Sequence, residues 1–209
     1  NQGEPIYIHG VTQDITIQKN NELKILSSQN LLKIQIRVNE YEIKNAHDFL
    51  DYALEEVIAF TDSEVGFFFY YNEEDEEFTL SSWSKEAMEE CRLSEKHTKS
   101  QLENTGLWGE VVRQRKAIIV NDYNLQNPLA KGTPDGHIKL ERYMGIPIFS
   151  GNKIVAVVSV ANKSMDYEDS DTQEFSLIMD TVWKKLEKHQ ADQELKSSRE
   201  KTQRILETV

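Results

Sequence analysis

The residues able to do chemistry are few and dispersed. The five histidines stand at His9, His47, His97, His137 and His189, with no cluster among them. The single cysteine, Cys91, has His97 six residues away, a spacing that fits no metal motif. Its thiol could be redox-active, or it could be a small apolar residue on a short helix. His137 and Arg142 bracket the stretch His137-Ile138-Lys139-Leu140-Glu141-Arg142. Arg suits bidentate contact with a carboxylate, and His suits switching near neutral pH. The same two side chains could instead cap and bridge loop backbone. The acidic block Glu73-Glu74-Asp75-Glu76-Glu77 could hold a metal ion, but a run of like charges reads better as a solvated hairpin tip. No His-Glu-x-x-His, P-loop, Cys-x-x-Cys or Gly-x-Ser-x-Gly occurs, so no nucleophile or acid–base pair can be placed and no enzyme is expected.

Aromatic residues offer the other chemistry. Within Val65–Tyr71, alternation puts Phe67, Phe69 and Tyr71 on one face and Phe68 and Tyr70 on the other. One face must pack on helices. The other could line a ligand cavity with Trp83, Trp108, Tyr123 and Met144, or form a filled core.

These side chains need a scaffold. The chain has 209 residues, a formal net charge of -12, 38% hydrophobic and 29% charged residues. That is long enough for one domain with appendages, or for two small ones. The acidity disfavours nucleic acid and an anionic membrane surface as partners. A lone cysteine rules out an internal disulfide and fits a reducing compartment. No apolar run approaches the roughly 18 residues of a membrane span, so direct membrane insertion is not expected. A cytoplasmic piece of a longer protein is.

Hydrophobic period and turn chemistry then set the elements. A helix is expected over about 17–44, with Leu31, Ile34, Val38 and Tyr41 spaced 3, 4 and 3. That stripe reads either as a dimer seam or as the inner face of a helix packed on its own domain. A second helix is expected from His47 to about Phe60 on a broad apolar face. Strands are expected at 65–71 and 78–83, a short helix at 85–93, and a helix over 106–116 entered through Thr105 as its cap. A short strand follows at 117–120, then a long loop over 121–137. Strands at 142–149 and 154–161 are joined by Ser150-Gly151-Asn152-Lys153, a hairpin signal. The last helix starts at Asp169-Ser170-Asp171 and can run to the end. Its tail from Gln190 to Arg204 is polar, which implies a partner helix. Antiparallel hairpins among segregated helices make an α+β domain.

From about Asp48 to Trp183 the chain resembles a GAF domain. The resemblance rests on Gly106-Leu107-Trp108-Gly109-Glu110-Val111-Val112-Arg113-Gln114-Arg115-Lys116-Ala117-Ile118-Ile119-Val120-Asn121-Asp122-Tyr123 and on Met144-Gly145-Ile146-Pro147-Ile148-Phe149 through Val155 to Asn162-Lys163. It implies a central antiparallel sheet flanked by helices, with long N- and C-terminal signalling helices. It also implies a ligand pocket, for which the candidates are Phe69, Tyr71, Trp83, Trp108, Asp122, Tyr123, His137, Arg142 and Met144. Some sensory GAF domains hold haem, which makes Cys91 a haem or redox candidate, while the cofactor itself stays unknown. Asn162-Lys163 is similar to the opening of a cyclic-nucleotide-binding signature. The sequence departs at Tyr167, where that signature has Phe, and at Asp171-Thr172, where it has Asp-Glu.

The flanks resemble PAS domains: Gly3–Thr16 the last strand and exit of one, Lys196–Thr208 the run-in to another. The expected organisation is a PAS remnant over 1–16, a linker helix over 17–45, a GAF domain over 46–188 and a linker helix over 189–209. The resemblance implies a sensory module of a prokaryotic protein ending in a histidine kinase or a diguanylate cyclase. Its expected partners are a small-molecule effector and a second copy joined through the terminal helices. A spacer that binds nothing, and a haem or redox sensor, are the alternatives.

Overall fold

A computed structural model describes residues 14–84, 99–123 and 139–207, and the fold is read from these. Cys91, His97, His137, the expected helix at 85–93 and nearly all of the proposed upstream remnant lie outside them.

The chain opens with α1 (Thr16–Glu40), then α2 (Ala46–Phe60). Asn45 caps α2 by accepting the His47 N–H, and Phe49, Leu50, Ala53, Leu54, Val57 and Ile58 form its buried face. Strands β1 (Val65–Asn72) and β2 (Glu77–Trp83) form the first hairpin. β3 (Lys99–Gln101) pairs with β2, and a 3₁₀ turn at Leu102–Asn104 leads to α3 (Leu107–Gln114). The cap of α3 is Gly106; Thr105 instead donates its hydroxyl back to the Leu102 carbonyl, so the expected Thr105 cap is corrected. Strands β4 (Ile118–Val120), β5 (Tyr143–Ser150) and β6 (Lys153–Ala161) follow, and α4 (Asp169–Glu207) closes the chain as one uninterrupted helix.

The strands make one six-stranded antiparallel sheet in the order β3-β2-β1-β6-β5-β4. The β5–β6 turn places Gly151 at a φ of +61°, in the left-handed region that glycine adopts without strain. One sheet face carries Phe68, Met144, Ile146, Ile148, Val158 and Val160 and packs on α2 and on Phe175, Ile178, Met179, Val182 and Leu186 of α4. The opposite face carries Phe69, Tyr71, Tyr143 and Val157 and is covered by Leu107, Val111 and Val112 of α3. This is the α+β architecture that the hairpins called for.

The helix expected over 17–44 stops at Glu40. Its last carbonyls are taken by Lys185 of α4, whose Nζ donates to Val38 and Asn39 at 2.8 and 2.6 Å, and to Tyr41. The ammonium also lies 5.7 Å from the centre of the Phe49 ring. Burial draws its pKa below the ordinary lysine value. Ser27 to Glu174 and Gln35 to Thr181 are further ties, and the order of these pairs along both helices makes α1 and α4 parallel. Ile34 and Val38 are buried in the chain's own core, with Leu31 and Tyr41 packed against it. The seam reading of Leu31, Ile34, Val38 and Tyr41 is thereby corrected: the 3-4-3 stripe is the inner face of α1.

Candidate functional site

The sheet face under α3 gathers part of the expected pocket. Phe69 on β1 stacks on Trp108 of α3, with ring centres 5.8 Å apart and planes 6° from parallel. Phe69 also meets Phe78 edge-on at 6.2 Å, and Tyr71 meets Phe78 at 4.7 Å. Tyr123 and Leu140, on either side of the 124–138 stretch, pack on the same cluster. Among the described residues the Trp108 Nε1–H, like that of Trp183 on the helix side, is buried without a hydrogen-bond acceptor, a state that native interiors mostly avoid.

Next to this cluster, Tyr143 lies flat along its own strand. Its hydroxyl shares a 2.8 Å hydrogen bond with Ser159. Burial pushes the phenol well above its usual pKa, partly offset by that bond. Gly145 makes the pose possible, because a Cβ there would sit 2.3 Å from the Tyr143 hydroxyl. Trp83 belongs to a smaller group with Phe67, Val65, Ala161 and Leu140 at the end of the same face.

Three expected residues fall elsewhere. Met144 is fully buried on the helix side, because its neighbour Tyr143 takes the α3 side and alternate residues of a strand face opposite ways. Arg142 turns from the sheet: its Nε donates to Asp166 at 3.2 Å and Nη1 to the Lys163 carbonyl at 3.3 Å. This is the loop-bridging alternative. Asp122 is exposed to solvent.

The motif residues near the end of β6 form a tie rather than a cradle. Asn162, at a φ of +61°, accepts the Glu141 N–H at 2.9 Å and donates to Glu64 and the Lys139 carbonyl, each at 3.0 Å. Lys163 holds both oxygens of Asp171 at 2.8 Å. Asn121 clamps Tyr167 by accepting its N–H at 2.8 Å and donating to its carbonyl at 3.0 Å. The Tyr167 hydroxyl reaches Ser63 at 2.7 Å, and burial lifts its pKa to about 12. Sequence reading missed this role of Asn121. Its signal was the Asn-Asp pair closing a strand.

Four of the five acids in the block are tied to neighbours, Asp75 through Asn72. Glu73 accepts the Ile154 N–H at 2.9 Å and pairs with Arg115 at 2.6 Å; Glu74 pairs with Lys153 and Glu77 with Lys99. Among the described residues no group of three or more His, Cys, Asp and Glu could hold a metal ion, and no helix is long and apolar enough to cross a membrane.

A six-stranded antiparallel sheet covered by α3 on one face and by α2 and α4 on the other, with α1 packed on α2 and α4, defines a class of small α+β domains. The family model for the GAF domain matches residues 44–187, and the chain belongs to that family. The chain is 35% identical over 190 residues to a methyl sulfide methyltransferase-associated sensor of Methanosarcina acetivorans, a match that covers 91% of this chain and 19% of that protein. The chain thus spans about a fifth of that relative. Among solved structures, the GAF domain of an Acinetobacter phosphoenolpyruvate-protein phosphotransferase superposes with a TM-score of 0.63 at 18% identity, covering 79% of this chain and 95% of that one. A free methionine-R-sulfoxide reductase from Neisseria meningitidis, in complex with its substrate, superposes with a TM-score of 0.53 at 16% identity, covering 87% and 93%. At these identities the structural likeness concerns the fold. Family and sensor relative together support a sensory or regulatory module.

Proposed function

We propose that the chain is a signal-receiving module that binds a small molecule between the sheet and α3. The change passes through paired terminal helices to a distant output domain, for which a histidine kinase is our reading and a diguanylate cyclase the alternative. The observation that carries the ligand step is the buried Trp108 Nε1–H, a donor with no acceptor among the described residues, beside the stacked Phe69 ring. A planar, largely apolar molecule with one hydrogen-bond acceptor would satisfy it. Arg142 is committed to Asp166 and Lys163, so the reading favours an uncharged ligand over an anion.

The relay has a short route. β6 presents Val157 to the α3 side and Val158 and Val160 to the helix side, so one strand's thickness separates the proposed ligand from α4. A ligand shifts such a pair of states only through unequal affinity for them. Thermal-shift screening of neutral aromatic and heteroaromatic metabolites, followed by Trp fluorescence titration, tests the reading. A true ligand binds about tenfold more weakly to Trp108→Phe, which keeps the ring and lacks the donor. If no compound raises the melting temperature, ligand sensing fails. The spacer reading then stands, favoured by the way Tyr143 fills the space over Gly145.

A further inference from the structure

A second recess lies on the helix side, away from α3. The end of α1, the segment before α2 and the middle of α4 enclose a groove of about 490 Å³, a size within the range of small-molecule sites. Asn39 and Ile43 line it from one side and Lys184, Lys185, Lys188 and His189 from the other, with Asp192 toward the C-terminal end of α4. Three lysines and a histidine thus share the groove with one carboxylate, in a chain whose net charge is -12. Elsewhere Lys99, Lys153 and Lys163 each pair with a carboxylate. Lys184 and Lys188 have Asp180 and Asp192 four residues away, a spacing at which helical ion pairs form. Yet among the described residues neither ammonium forms an ion pair. The two lysines also stand one helical turn apart, where like charges repel. Lys185 turns inward and donates to the Val38, Asn39 and Tyr41 carbonyls. Those bonds cover the negative end of the α1 dipole, which would otherwise repel an anion.

We infer that this groove binds a small multivalent anion, an organic diphosphate or a polycarboxylate, gripped by Lys184 and Lys188. Side chains four residues apart on a helix are rooted about 5–6 Å from each other, a span that two adjacent anionic groups match. The anion removes the repulsion between the two ammoniums, and a cleft lined by one sign of charge concentrates it from solution. Ile43, half-buried in the wall, gives cover to the carbon part of such a molecule. Asp192 ends the positive stretch, so one small molecule fits and the long phosphate backbone of a nucleic acid does not. The bound anion bridges the end of α1 to α4 beside Leu186, where α4 leaves the core. The site lies across the sheet from the space under α3, and its test is independent of the ligand proposed there.

Equilibrium dialysis of the 209-residue chain at fixed ionic strength, with pyrophosphate, citrate and orthophosphate as probes, tests the inference. Pyrophosphate or citrate should bind with submillimolar affinity, and more tightly than orthophosphate. Binding of pyrophosphate alone assigns the phosphate class, and binding of citrate alone the carboxylate class; either upholds the groove. The double variant Lys184→Gln, Lys188→Gln changes two exposed side chains and should keep the fold. Its affinity should fall about tenfold or more, while Lys201→Gln, on the exposed tail of α4, binds as the parent does. The bound probe should also slow hydrogen exchange of the Tyr41 N–H at the end of α1. Equal binding by the double variant, or unchanged exchange at Tyr41, overturns the assigned groove. Orthophosphate binding as tightly as the others overturns the multivalent grip, and failure of every probe to bind at millimolar concentration overturns the inference entirely.

Discussion

At the scale of single residues, the fold depends on positions where one atom more would not fit. Gly145→Ala would drive its Cβ to 2.8 Å from the Tyr143 ring carbon Cζ and nearer still to the hydroxyl. That ring is pinned by Ser159, so the clash cannot relax by a simple rotation. Overpacking of this kind costs about 1–3 kcal/mol, and urea denaturation should show a loss in that range. Asn162 offers a cleaner dissection. Asn162→Gly keeps the positive φ and loses three side-chain hydrogen bonds, whereas Asn162→Ala loses both. The alanine variant should be less stable than the glycine variant by about 1 kcal/mol. Equal losses would mean that the backbone conformation is not the burden it appears from its φ of +61°.

At the scale of elements, the ties between α1 and α4 carry the argument. Lys185→Met keeps the stem packed near Phe49 but removes the donor to three carbonyls at the end of α1. Hydrogen exchange should quicken at the last turn of α1, around the Tyr41 N–H that bonds Arg37, while α2 stays protected. Uniform quickening across both helices would mean global destabilisation instead. The same lysine explains a limit of sequence reading. α2, β1, β2, β5 and β6 were legible because each carries an apolar period and ends at a turn. The end of α1 was not, because it stops where a side chain from 144 residues further along takes its carbonyl. β3 was missed because Lys99-Ser100-Gln101 has no apolar pattern and exists by backbone pairing with β2. The aromatic alternation of β1 put Phe69 and Tyr71 on one sheet face, and both lie in the cluster under α3. β5 is apolar on both faces, so nothing local showed that Tyr143, not Met144, faces α3. The seam was misassigned because a 3-4-3 stripe looks the same whether the chain's own core or a second chain covers it.

At the scale of the whole molecule, two phenols tie folding to alkaline pH. Tyr143 and Tyr167 both have pKa values raised by burial above the ordinary 10.0, Tyr167 to about 12. The folded state therefore holds their protons where the unfolded chain releases them. Their contribution is complete below about pH 10 and declines as pH rises through 12. The melting temperature should fall across that window. Tyr167→Phe should fall less steeply, at the expense of about 1 kcal/mol at neutral pH from the lost Ser63 bond. Parallel curves for the two proteins would show that Tyr167 does not titrate with unfolding.

The unbroken course of α4 also makes its length a kind of code. Each residue turns an α-helix by about 100°, so the outward azimuth of everything downstream is set by the residue count after Leu186, the last buried residue of the helix. Inserting seven residues there changes that azimuth by only about 20°, while inserting four swings it by about 40° the other way and inserting three by about 60° in the same sense as seven. A downstream domain grafted onto Glu207 should tolerate one inserted heptad and lose or invert its response to three- or four-residue insertions. Engineered chimaeras would then be constrained less by the composition of this polar helix than by the angle its length leaves at its end.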